Sequence, residues 1–170
     1  RLAQRACRHT DYPDLAPGLM LTEHRRCVPK IIAYCNDLVY QGKLEPRREE
    51  SPEERRRRLD FLPPLGEIDV KGSGERAGGS RRNPEEAKAV AAWVQKHAED
   101  MKARYENKPL KEILGIITPF AAQKECILAA LARSLGTKHG ITVGTVHALQ
   151  GAERPVVLFS PTYDESHPGD

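Results

Sequence analysis

Three short apolar runs in the second half of the chain most narrow the folds it can adopt. The runs are ILGIIT at 113–118, ITVGTV at 141–146 and PVVLFS at 155–160. Their length, their β-branched residues and the turn residues around them are typical of buried strands. Helical patterns precede the first run and separate it from the second. This alternation predicts a three-layer α/β domain with a largely parallel sheet.

The helical patterns have clear start and stop signals. Asn83 caps the longest predicted helix, which has a proline at its first position and extends to about Tyr105. A second helix follows Pro119 and ends near Gly136, and a third begins at Pro29. The apolar stripe that marks the longest helix as a surface helix consists of Ala87, Val90, Ala91, Val94, Ala98 and Met101.

Residues 45–60 are dominated by charge, with six arginines and six acidic residues. Ser51 and Glu54 have the spacing of a capping box, which predicts a solvent-exposed charged helix or a mobile insertion. A phosphate-contacting patch is the alternative reading. Short strands are predicted on either side, at 19–22 and at 61–70.

The glycine-rich segment at 71–83 follows the second of those strands. Gly72, Gly74 and Ala77 satisfy the dinucleotide-binding pattern G-x-G-x-x-A. That pattern requires a helix that opens on the glycines, whereas Gly78 and the two residues after it prolong the loop. We therefore predict a flexible loop rather than a nucleotide site.

Composition sets the broad class. The 170 residues fit one domain over 1–170, and 30% charged residues with a net charge of +3 indicate a soluble, mildly basic protein. The four cysteines have neither CxxC spacing nor the density of a disulfide scaffold, so we expect reduced thiols and a cytoplasmic location. No apolar run approaches the roughly 18 residues that span a bilayer, and we expect no membrane contact. The chain begins without Met, which suggests a fragment of a larger protein.

The polar loops that follow three strands are the candidate site. In parallel α/β sheets, ligands bind at the carboxyl ends of the strands. The loops to inspect therefore follow residues 22, 118 and 146. The last of them holds a histidine, a glutamine, a glycine and a glutamate within a few residues, which is more chemistry than a simple connection requires.

Three segments, in order, resemble the second RecA-like domain of superfamily 1 helicases, in the group that includes the nonsense-mediated-decay RNA helicase. LTEHRRCVPKIIAYCNDLVYQGKL at 21–44 resembles the fourth helicase motif of that family. GIITPFAAQKECILAAL at 115–131 resembles the strand and helix that precede the fifth motif, and TVGTVHALQGAERPVVLFS at 142–160 resembles the fifth motif itself. The resemblance covers roughly residues 19–163 and implies a RecA-like domain of the P-loop NTPase type.

The resemblance implies an ATP site between this domain and a first RecA-like domain of the same chain. Arg26 aligns with the fourth-motif arginine, whose guanidinium is directed at the γ-phosphate. Glu153 aligns with the glutamate that accepts hydrogen bonds from the ribose hydroxyls. Gln150 and Gly151 align with the tight turn beside the nucleotide, where glycine allows close backbone approach.

The same loop is implied to contact nucleic acid. Thr145 and His147 align with positions that face a single strand of DNA or RNA, where they reach phosphate without reading base identity. One loop would thus contact both ligands, which would let hydrolysis alter the grip on the strand.

The chain departs from the family pattern at two motif positions and lacks several of the family's motifs. Arg25 stands where the family usually has an aromatic residue, which leaves open whether Arg25 or Arg26 reaches phosphate, and Ala152 stands where an arginine is frequent. No G-x-x-x-x-G-K-[ST] motif, no acidic magnesium-binding motif and no sixth helicase motif occur in the 170 residues. We therefore expect the Mg²⁺ that accompanies ATP to be held mainly by the first domain, and the fragment to be a monomer without hydrolysis of its own.

Three alternatives complete the sequence reading. The chain could be a non-catalytic RecA-like module that serves as a nucleic-acid or protein-binding platform. Cys7, His9, His24 and Cys27 could be arranged on paper as a zinc site, but nothing in their spacing brings them together, and we predict no metal site. Gln123 could either contact a ligand or brace a neighbouring loop.

Overall fold

The computed structural model describes residues 20–57, 62–145, 148 and 153–164. The chain divides into two compact units, Arg1–Gly66 and Glu67–Asp170, where the sequence predicted a single domain. The units are described separately. In the residues described, no helix has both the length and the apolar composition needed to cross a membrane.

The described residues of the first unit form a two-stranded parallel sheet and two helices. Strand β1 (Glu23–His24) pairs with β2 (Glu45–Pro46), and helix α1 (Pro29–Val39) lies between them in the chain. The predicted helix from Pro29 is confirmed. The strand predicted at 19–22 is wrong for residues 20–22, which are not in a strand. The Glu45 N–H donates to the Thr22 carbonyl at 2.7 Å, so hydrogen bonding to β2 begins only at the end of the apolar run. The position of β1 is therefore set by β2 and not by the apolar run.

Helix α2 (Pro52–Arg57) begins with the predicted capping box. The backbone N–H of Glu54 donates to the Ser51 hydroxyl at 3.1 Å, and the Ser51 N–H donates to the Glu54 carboxylate at 2.8 Å. Both donors at the helix start are therefore satisfied by side chains. The carboxylate of Glu54 also pairs with Arg48.

The second unit is built on three parallel strands, β5 (Leu114–Ile117), β6 (Thr142–Gly144) and β7 (Val156–Phe159), so all three predicted apolar runs form strands. Their order in the sheet is β6-β5-β7. Residues on one face of the sheet are buried: Leu114, Ile116, Val143 and Val156. The opposite face of β7 exposes Val157 and Phe159, because side chains alternate along a strand. The α/β class with a parallel sheet is confirmed.

In the part of the second unit that the structure describes, three helices accompany this sheet: α3 (Pro84–Arg104), α4 (Leu110–Ile113) and α5 (Ala121–Leu135). Helix α3 begins after the predicted Asn83 cap, whose side chain accepts from the Glu86 N–H, and its end agrees with the predicted one. Helix α5 is capped at its carboxyl end by Gly136, which has a φ of 82°. Helices α3 and α5 pack against each other. Their fully buried side chains include Ala87, Val94, Met101, Ile127 and Leu131.

Two predictions for residues 62–83 are wrong. Residues 62–70 contain no strand, because Pro63 and Pro64 remove backbone donors that a sheet would need. The predicted flexible loop at 71–83 contains an antiparallel hairpin, β3 (Glu75–Ala77) and β4 (Ser80–Arg82). The hairpin could not be predicted from the sequence because its strands are rich in charged residues and lack the apolar alternation of a half-buried strand.

Candidate functional site

The carboxyl ends of the three parallel strands lie side by side in the second unit. The backbone N–H of Thr118, just after β5, donates to the Gly144 carbonyl at the end of β6 at 3.1 Å. On the other side, the Ser160 N–H donates to the Ile117 carbonyl at 2.8 Å. The ends of β5, β6 and β7 therefore form one continuous edge, which we call the carboxyl edge. This is the place where ligands bind in parallel α/β sheets.

A buried polar network joins this edge to the start of helix α3. The Ser160 hydroxyl donates to Glu86 Oε1 at 2.6 Å, and the Thr162 N–H donates to the same oxygen at 3.3 Å. Gln123 on α5 donates to the Ser160 hydroxyl at 3.0 Å. It also exchanges hydrogen bonds with the backbone of Asn83, accepting at 2.7 Å and donating at 3.3 Å. All five residues are buried, so the edge is held by satisfied polar groups rather than by apolar packing alone.

Gln123 supports the neighbouring segments through these hydrogen bonds. Its side chain has no exposed surface, and its amide is engaged by Asn83 and Ser160. Of the two sequence readings, contact with a ligand or support of a neighbouring loop, the structure favours support.

Ala148 lies very close to the end of β6. A Cβ placed on Gly144 would lie 2.5 Å from the Cβ of Ala148, a separation that real side chains do not show. The Ala148 N–H donates to the Thr145 carbonyl at 2.8 Å. Ala148 therefore lies directly against the end of β6, and only glycine fits at position 144. Thr145, predicted to face nucleic acid, is the first residue of this turn and is half-buried.

A second short turn presents the two candidate arginines in the first unit. His24 Nε2 accepts a hydrogen bond from the Cys27 N–H at 3.0 Å, which closes the turn that contains Arg25 and Arg26. Arg48 donates to the Arg26 carbonyl at 2.6 Å and fixes the turn from the other side. His24 thus serves the backbone of this turn. The side chain of Arg26 is exposed.

The side chain of Arg25 is directed back toward β1. Its guanidinium contacts the Glu23 carboxylate through Nε at 3.1 Å and Nη2 at 2.8 Å. This hydrogen-bonded guanidinium lowers the pKa of Glu23, an exposed group. The pair therefore defines the orientation of Arg25 and contributes little to stability.

The predicted site residues are distributed over both units. Arg26 lies in the first unit, and Thr145 and Glu153 lie in the second, where Glu153 is exposed. His147, Gln150 and Gly151 lie outside the described residues. Among the residues that the structure does describe, no three His, Cys, Asp or Glu side chains form a group able to hold a metal ion. The roles assigned to these residues by resemblance stay predictions.

The glycines of the rejected dinucleotide pattern have a packing role. A Cβ on Gly72 would lie 2.7 Å from Glu85 Cβ, and one on Gly74 would lie 2.6 Å from the Thr162 carbonyl oxygen. The Gly74 N–H also donates to the carboxylate of Asp164. These glycines allow the segment before the hairpin to pack closely against the start of α3 and the segment after β7. No helix opens on them, as the nucleotide fingerprint would require.

Sequence reasoning missed the buried network, although part of its signal was visible. The sequence predicts the helix cap at Asn83 but gives no partner for Glu86. Helix α3 also turns Glu86 inward, on the same face as the apolar stripe, where it is 8% exposed. An acidic residue in register with a buried stripe, with Ser160 and Thr162 after a neighbouring strand, was the available clue.

Comparison with known proteins now adds a family. Residues 2–167 match the model of a family described as AAA domain. This chain belongs to that AAA-domain family. Together with its helices and parallel strands, the match establishes a RecA-like α/β fold of the P-loop NTPase type.

A curated relative points in the same direction. Over 150 residues, 85% of the chain, the sequence is 31% identical to "5'-3' DNA helicase ZGRF1" of Mus musculus. The chain covers only 7% of the length of that protein. These matches support the resemblance to the second domain of superfamily 1 helicases. They do not support the narrower placement in the group of the nonsense-mediated-decay helicase.

Proposed function

We propose that this chain is the second motor domain of an ATP-dependent superfamily 1 helicase or translocase. The observation that carries the proposal is the carboxyl edge, where Ala148 packs closely against Gly144 within the segment that resembles the fifth helicase motif. The AAA-domain match and the helicase relative support it independently.

Arg26 is proposed to sense the γ-phosphate of ATP. The residue lies in a turn held by His24 and Arg48, and its side chain is exposed. A guanidinium in a fixed turn offers a planar set of donors suited to phosphate oxygens. Arg25, whose guanidinium contacts Glu23, is the alternative candidate, and Arg26 is preferred because it aligns with the fourth-motif arginine.

The loop after β6 is proposed to serve the other contacts. Glu153 would accept hydrogen bonds from the ribose, and Gln150 and Gly151 would form the turn beside the nucleotide. Thr145 and His147 would contact the backbone of a single strand. The described part of this loop fits those roles, because Glu153 is exposed and Thr145 begins the turn at the carboxyl edge.

The partners follow from these roles. We propose ATP with Mg²⁺ as the nucleotide, with the metal held mainly by a first RecA-like domain of the same chain. The nucleic acid is a single strand; the relative's name states DNA for that protein, and strand contacts to backbone do not distinguish DNA from RNA. Membership in the decay-helicase group stays a prediction.

The test uses the full-length protein that contains these residues. ATP hydrolysis is measured with and without single-stranded DNA or RNA, for wild type, Arg26→Ala and the matched control Arg25→Ala. We expect strand-stimulated turnover that falls on the order of 10³-fold in Arg26→Ala, as loss of a phosphate-contacting arginine would cause. Arg25→Ala should stay within a few-fold of wild type.

Each other outcome has a definite meaning. A large loss in Arg25→Ala alone would transfer the role to that residue. A wild-type protein that binds strands without stimulated turnover would contradict the motor function and favour a nucleic-acid-binding platform.

A further inference from the structure

An aromatic side chain is held at the carboxyl edge by two partners. The ring of Tyr163, four residues past β7, meets the ring of Phe120 in an edge-to-face arrangement with centroids 5.4 Å apart. The guanidinium carbon of Arg81, on hairpin strand β4, lies 5.6 Å from the centroid of the Tyr163 ring. Edge-to-face pairs and cation–π contacts each stabilise a defined ring orientation.

The support of this ring is itself firmly placed. Arg81 is 8% exposed, and its neighbour Ser80 accepts a hydrogen bond from the Ala122 N–H at 3.1 Å, in the first turn of α5. Thr162, the residue before Tyr163 in the chain, is buried, and its N–H donates to Glu86. The segment that carries Tyr163 therefore starts from a fixed point of the edge.

Tyr163 nevertheless remains 44% exposed. A tyrosine of the core would be covered by other side chains. A surface tyrosine without a role would not need a buried arginine against its ring. The combination of a fixed orientation and an open surface is that of a binding group rather than of a core residue.

The position of the ring relates it to the proposed strand contacts. Phe120 follows β5, and β5 lies between β6, which leads into Thr145, and β7, which leads into Tyr163. Neighbouring strands are about 4.8 Å apart. Thr145 and the Phe120–Tyr163 pair therefore lie within a few nucleotides' reach of each other along one edge.

We propose that Tyr163, backed by Arg81 and Phe120, is a stacking surface for one base of the bound single strand. The inference rests on the proposed function and adds a base contact to the backbone contacts of Thr145 and His147. Stacking on an aromatic ring tolerates any base, which suits a motor that moves along a strand. Arg81 is buried and acts by positioning the ring.

The test separates base contacts from backbone contacts in the full-length protein. Affinities are measured by fluorescence anisotropy for a short oligo-dT and for a strand of equal length built of abasic units. The variants are Tyr163→Leu, which removes the ring, and Tyr163→Phe, which keeps it. Tyr105→Leu is the control, because Tyr105 is a half-buried aromatic residue at the far end of α3, about 30 Å along the helix from the edge.

The expected result is specific to strands that carry bases. Tyr163→Leu should weaken binding of oligo-dT about tenfold, within the range measured for loss of one base–aromatic stack. The affinity for the abasic strand should change less than about twofold. Tyr163→Phe and Tyr105→Leu should bind both strands like wild type.

Three results would overturn the inference. An equal loss for both strands in Tyr163→Leu would indicate a purely structural role. Unchanged oligo-dT binding in Tyr163→Leu would show that Tyr163 does not stack on a base. The proposed function would still stand in that case, because the wild-type protein binds the strand. A wild-type protein that binds neither strand would remove the proposed function and this inference with it.

Discussion

The hydroxyl of Ser160 donates to Glu86 Oε1 at 2.6 Å and thereby joins the end of strand β7 to the first turn of helix α3. Both side chains are buried, at 1% and 8% exposure. The same carboxylate oxygen accepts from the Thr162 N–H. One acidic side chain thus satisfies two donors at the carboxyl edge, where the candidate site lies.

Replacing Glu86 should destabilise the fold because those donors would lose their acceptor. We expect Glu86→Ala to lower the free energy of unfolding by about 1–3 kcal/mol, the usual effect of an unsatisfied buried group. Glu86→Gln keeps an acceptor oxygen and should lose clearly less. Urea denaturation monitored by circular dichroism measures both, with an unchanged slope as the sign that only stability has changed. Equal losses in the two variants would contradict the role of the carboxylate oxygen.

The close contact between Gly144 and Ala148 predicts a compensating pair of substitutions. Gly144→Ala would place two Cβ atoms 2.5 Å apart and should cost about 1–3 kcal/mol through overpacking. Ala148→Gly removes one of those atoms, so the double variant should recover most of the stability. A double-mutant cycle measures this coupling directly. If the losses of stability of the two single variants simply added in the double variant, residues 144 and 148 would not interact, and the close contact would be contradicted.

The capping box of helix α2 predicts a pH dependence. The Ser51 N–H hydrogen bond, followed by the contact with Arg48, lowers the pKa of Glu54 from its ordinary value of 4.5. A carboxyl with a lowered pKa contributes stability that is fully present above the unfolded value and is lost as pH falls through the folded value. Helix α2 should therefore keep its cap down to below pH 4.5 and lose it under more acidic conditions.

An NMR titration of the Glu54 carboxyl carbon checks this prediction. Arg48→Ala should move the pKa upward, toward 4.5, without restoring it fully, because the backbone hydrogen bond remains. A pKa at or above 4.5 in the wild-type chain would show that the capping box does not form in solution.

The parts of the fold that sequence predicted are those governed by apolar periodicity and capping. The runs around Ile116, Val143 and Leu158 form parallel strands, and Asn83 and Gly136 bound their helices as expected. These signals are local, and each residue contributes through its own side chain or backbone.

The parts that sequence did not predict depend on distant partners. The hairpin at 75–82 is fixed by contacts such as Ser80 with Ala122 and Arg81 with Tyr163. The Glu86–Ser160 bond joins residues 74 positions apart. Strand β1 is placed by its pairing with β2, not by its own apolar content. Side-chain partners at such separations leave no periodic pattern in the sequence. The loops of the candidate site follow from the pattern of parallel strands, whereas the roles of their residues come from resemblance and stay proposals.

The measurement that tests the central claim most directly is the dependence of strand affinity on the bound nucleotide. The dissociation constant for a single strand is compared in the full-length protein with a non-hydrolysable ATP analogue and with ADP, for wild type and Glu153→Ala. If one loop contacts both ligands, wild-type affinity should differ about 5- to 150-fold between the two nucleotide states, the range of ordinary coupling. Glu153→Ala should reduce that difference. Equal affinity in both states for a wild-type protein that binds strand and nucleotide would contradict a motor domain and leave a binding platform.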